Sequence, residues 1–69
     1  MDLTNIEVER VKNKLSKLQI ADYLKISTQT YNNWLRGKTE IPVSSLVKLS
    51  LKYQCSIDYL IGRVNGKAG

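Results

Sequence analysis

The chain has 69 residues, enough for one small domain with a single core and too few for a second. Hydrophobic residues make up 42% of it, as in an ordinary globular domain, and no run approaches the roughly 18 apolar residues of a membrane span. A lone Cys55 and the absence of histidine exclude a disulfide framework and leave no zinc ligand set, while a net charge of +5 suits a polyanionic partner.

The start, MDLTNIEVER, has neither the charged lead nor the apolar run of a signal peptide, so a cytoplasmic protein is expected. The charge is unevenly spread. Between residues 10 and 38 lie Arg10, Lys12, Lys14, Lys17, Lys25, Arg36 and Lys38 against Asp22 alone, a local +6; the other four cations face five acids, a local −1. A solvated lysine-rich surface would share that bias, so the other residues of the segment have to decide.

The first helix signal is TNIE at 4–7. It fits a capping box in which Thr4 accepts from the Glu7 amide and Glu7 reaches back, with Leu3 and Val8 as the staple pair. That helix should run to about residue 13 and bury Val8 and Val11, with Leu15 beyond. SKLQ at 16–19 is a second box, capped by Ser16 with Gln19 in the reciprocal role. Behind it Ile20, Ala21 and Leu24 form one apolar stripe while Gln19 and Asp22 face outward.

Ser27 caps a third helix that ends at Gly37, a residue suited to the left-handed position after a helix. Pro42 cannot lie inside a helix, which makes 38–42 a loop. A fourth helix, about 44–53, should bury some of Leu46, Val47, Leu49 and Leu51. Ser56 caps a short fifth helix, IDYLI, with Asp58 in its first turn where the dipole favours an anion, and Gly62 ends it. Cys55 reads as a small buried residue before that helix. No alternating strand pattern appears, so the fold class is all-α with five short helices. The domain should span 1–62, with 63–69 as a flexible tail.

The third helix divides by face. One arc holds Thr30, Trp34, Ser27, Tyr31 and Leu35, so its aromatics and leucine belong to the core rather than to a stacking platform. The other arc holds Thr28, Gln29, Asn32, Asn33 and Arg36. A merely solvated face favours Lys and Glu, which form helices better than Asn or Thr. Amides and guanidinium can instead pair with adenine and guanine edges, and a threonine methyl can meet the thymine methyl. Helices at 17–24 and 28–36, joined by a turn of about three residues, have the spacing of a helix-turn-helix whose second helix lies in the major groove.

At these residues the segment LSKLQIADYLKISTQTYNNWLRGKTEIP resembles the helix-turn-helix of Cro and lambda-repressor-like (Xre-type) DNA-binding domains. The later CSIDYLIG resembles the final helix of that family, so the likeness covers about 6–62. Its specific elements are Ala21 where the two helices approach, Ile26 in the turn and the NWLRGK close. The resemblance implies a compact five-helix fold of that type. It also implies base contacts from Thr28, Gln29 and Asn33, with Asn32 as an addition, and phosphate contacts from Ser16, Lys17 and Lys38. Arg36, on the same arc, joins the phosphate set.

The chain departs from the family in four places. Lys17 stands where glutamine is frequent, Lys25 replaces the turn glycine, and the first helix follows the pattern poorly. Leu35 stands where the family often has a glutamate paired with an arginine of the first helix, which leaves Arg10 without that pair.

The expected function is a sequence-specific double-stranded DNA-binding regulator, a small Cro-like or phage-type repressor acting as a homodimer on a palindromic operator. The alternative is an antitoxin-like or other protein-interaction module in which DNA binding is secondary. No cofactor, metal, membrane or small-molecule ligand is expected. An enzyme is not: there is no histidine and no Gly-rich phosphate loop, and Asp22 and Asp58 fall on different helices.

Overall fold

The structure is a computed structural model that describes residues 2–63; all but one residue of the expected tail lies outside this range. Five helices follow in order: α1 (Thr4–Lys12), α2 (Lys17–Leu24), α3 (Thr28–Leu35), α4 (Val43–Tyr53) and α5 (Ile57–Leu60). No strand occurs among the described residues. The all-α expectation therefore holds, with each predicted helix in place.

Local chemistry sets most of the boundaries. The Ser16 box forms in full: its hydroxyl accepts from the Gln19 amide at 3.0 Å and its own amide donates to Gln19 Oε1 at 2.8 Å. Ser27 and Ser56 accept from the amides three residues on, each at 3.1 Å. At the other ends the chain turns left-handed, at Lys25 (φ 59°) after α2, Gly37 (φ 74°) just past α3 and Gln54 (φ 54°) after α4. The Ile26 amide then donates back to Ala21 O at 3.0 Å, closing the α2 terminus in three residues before Thr28 begins α3. α2 and α3 are thereby held as one rigid corner.

The core comprises Leu3, Ile6, Ile20, Leu24, Tyr31, Trp34, Ile41, Leu46, Leu49, Tyr53, Cys55, Tyr59 and Leu60. Ala21, wholly buried, gives α2 its small contact residue. α4 buries Leu46 and Leu49 and leaves Val47 and Leu51 exposed.

The N-terminal reading needs correction. Thr4 caps nothing: it is the first helical residue, and its amide donates to Asp2 Oδ1 at 2.9 Å. The Glu7 side chain turns away from the helix start altogether. Val8 and Val11 are exposed, so neither the staple nor the predicted apolar stripe forms. The inward face of α1 carries Ile6 and Glu9 instead. A fully buried acid took the place expected for a valine, and apolar spacing alone could not reveal it. Tyr59 of α5 makes the position tenable by donating its hydroxyl proton to Glu9 Oε2 at 3.0 Å. Asn5 Nδ2 also donates to Tyr59 O at 2.7 Å, a second polar tie between α1 and α5.

Candidate nucleic-acid interface

α3 is fastened by its aromatics. Tyr31 is wholly buried and Trp34 nearly so, their rings meeting edge to face with centroids 6.4 Å apart. Pinning that arc inside leaves the opposite one facing out: Gln29 and Arg36 are exposed, and Thr28, Asn32 and Asn33 are half-buried. Ser16 and Lys38 are exposed and Lys17 half-buried. All eight residues singled out in the sequence thus keep at least part of their surface open to a partner. After α3 the Lys38 amide donates to Asn33 O at 2.9 Å, which folds the Arg36–Lys38 corner back over the end of the helix.

The start of α2 adds backbone donors. With the Gln19 amide taken by Ser16, helix geometry leaves the Lys17 and Leu18 amides pointing out without an intrahelical acceptor. Together with Lys17 they form a cationic, donor-only end beside α3.

Two links escaped the sequence reading. Lys17 Nζ donates to Asn32 Oδ1 at 2.9 Å, joining the expected phosphate and base sets across the turn. Lysine can only donate, so this bond also fixes which way the Asn32 amide faces, with Nδ2 turned away. Glu7 of α1 sits beneath the motif. Its Oε2 accepts from the Tyr31 hydroxyl at 2.6 Å and from Arg10 Nε at 2.8 Å, and its Oε1 from Arg10 Nη2 at 3.0 Å. Arg10 Nη1 donates onward to Leu15 O at 2.6 Å, just ahead of the Ser16 cap. Arg10, lacking a carboxylate at position 35, finds one within its own helix. The three-residue Glu7–Arg10 spacing carried that signal, because such neighbours share a helix face.

Electrostatics follow the geometry. Burial favours the neutral Glu7 carboxyl, but hydrogen bonds from Arg10 and Tyr31 outweigh it and hold the group below the usual carboxylate range. Burial, then the bond to Glu7, pushes the Tyr31 phenol far up, so it remains a donor at any ordinary pH.

A short corner of two helices, a polar outward arc on the second and a cationic end on the first are what a helix-turn-helix requires. The helix-turn-helix family matches residues 6–60, most of the chain. The chain belongs to the Cro/C1-type helix-turn-helix family. Members of this Xre-type family are DNA-binding transcription regulators and generally not enzymes, and this chain is such a regulator. No curated protein and no solved structure matches it. Among the described residues no helix is long and apolar enough to cross a membrane, and no cluster of metal-ligating side chains occurs.

Proposed function

We propose that this Xre-type domain is a sequence-specific repressor of the small Cro-like or phage type, with α3 in the major groove. The observation that carries the reading is the outward arc of Thr28, Gln29, Asn32 and Asn33 on a helix whose other face is locked in the core. Gln29, the most open of the four, is the primary adenine reader, with Thr28 and Asn33 beside it. Ser16, Lys17, Arg36 and Lys38 hold phosphates and fix register, which carries no sequence information directly.

The reading implies a homodimer. Among the described residues there is one helix-turn-helix with one reading helix, so one copy reaches one half-site. The exposed Val43, Val47 and Leu51, four residues apart along α4, suit self-association. A palindromic operator follows from two-fold symmetry, and the cytoplasm from the DNA partner.

Paired substitutions test the assignment. Gln29→Ala should cost about 1–3 kcal/mol on the preferred site and relax one base position. Lys38→Ala should weaken all sequences alike and flatten the salt slope by about 1 unit. If Gln29→Ala changed neither affinity nor preference, the base-reading role would be lost. Binding without sequence preference at physiological salt, with a protein partner that co-purifies, would favour the interaction-module alternative.

A further inference from the structure

We infer that Glu7, on a helix outside the helix-turn-helix, is a positioning residue for DNA reading: its carboxylate sets the pose of α3 through Tyr31 and that of α2 through Arg10. The inference rests on the proposed role of α3 as the reading helix.

Packing of Tyr31 and Trp34 decides which face of α3 turns inward, but hydrophobic attraction has no direction and does not by itself set the last few degrees of rotation about the helix axis. The 2.6 Å bond from Tyr31 to Glu7 supplies a direction. Tyr31 lies midway in sequence between Gln29 and Asn33 but on the opposite, buried face of α3, so any rotation of the helix at Tyr31 carries both with it. A helix with side chains is about 5–6 Å in radius, so a turn of about 10° shifts a side-chain tip by on the order of 1 Å. That is enough to spoil a bidentate base pair.

The other branch runs from Glu7 through Arg10 to Leu15 O, where the chain enters α2. One carboxylate therefore references both helices of the motif to α1. The pair is mostly shielded, with 28% of the Glu7 side chain and 16% of the Arg10 side chain exposed. At such depth the cost of desolvation cancels much of the attraction, so an ion pair is a weak source of stability. Orienting its neighbours is the role that this geometry supports.

Glu7→Gln and Tyr31→Phe, each near-isosteric, test the claim, singly and together, by the ratio of affinity for the selected site to affinity for unrelated duplex DNA. Measurements are made on protein shown to be folded by circular dichroism, with Gln29→Ala alongside. Each single variant should lower the ratio about tenfold while affinity for unrelated DNA stays put. The double variant should lose little more than Glu7→Gln alone, because Tyr31→Phe removes one of the two branches that Glu7→Gln weakens. An unchanged ratio for the folded Glu7→Gln and Tyr31→Phe proteins, or an equal fall for both DNAs, overturns the inference. If Gln29→Ala still lowers the ratio, base reading by α3 stands without it; if Gln29→Ala does not, that reading fails too.

Discussion

Glu7 and Tyr53 show how single polar groups shape this small fold. Hydrogen bonds from Arg10 and Tyr31, against the opposing effect of burial, keep the Glu7 carboxyl ionised below its usual range. An acid with a depressed native pKa contributes stability that is present above its unfolded value, about 4.3, and lost as pH falls through the native one. The melting temperature should therefore drop below about pH 4.3 in the native chain, and that drop should be smaller in Glu7→Gln. Thermal melts between pH 3 and 6 compare the two. Burial, with smaller electrostatic contributions, pushes the Tyr53 phenol up to about 12. Its hydroxyl is buried with no hydrogen-bond partner among the described residues. Removing it as Tyr53→Phe should stabilise the fold by about 1 kcal/mol, since an unsatisfied buried hydroxyl costs about 1–3 kcal/mol. Urea denaturation of the two proteins measures the difference.

At the scale of the helix, the terminators carry the strain. Lys25 sits left-handed between the two helices of the motif, where a side chain costs roughly 1–2 kcal/mol relative to glycine. Lys25→Gly should recover about 0.5–1 kcal/mol of it after the added freedom of the unfolded chain, readable in the same denaturation experiment. Gly62 is the contrary case. Its φ is +79°, and an added Cβ would come within 2.8 Å of Asp2 Cβ, where the chain start crosses the end of α5. Gly62→Ala should therefore destabilise more than Gly37→Ala, whose Cβ would meet nothing within 4 Å. The serine caps, the glycine stops and the α2 stripe were legible because their causes are local in sequence. α1 was not. Its inward face is set by a buried glutamate whose partner, Tyr59, lies 50 residues away, and its valines face solvent. The Lys17–Asn32 bond, 15 residues apart, was out of reach for the same reason. The outward arc of α3 was legible because Tyr31 and Trp34 dictate which face is free.

For the whole molecule, the proposed function draws affinity and selectivity from different parts of the surface. The excess of positive charge between residues 10 and 38 supports salt-dependent attraction to any duplex, and the α3 arc supports choice among sequences. In the proposed homodimer, self-association ties two such units to one operator. Val47→Asp on the exposed face of α4 should leave folding intact while abolishing cooperative occupation of paired half-sites, as read by gel shift on one-site and two-site duplexes. The most direct test of the central claim is selection of bound sites from random duplex DNA at physiological salt. The expected result is an inverted repeat with half-sites about one helical turn apart and a strong base preference that Gln29→Ala relaxes at one position of each half-site. A pool that stays random, bound with the same affinity as any duplex, would contradict it.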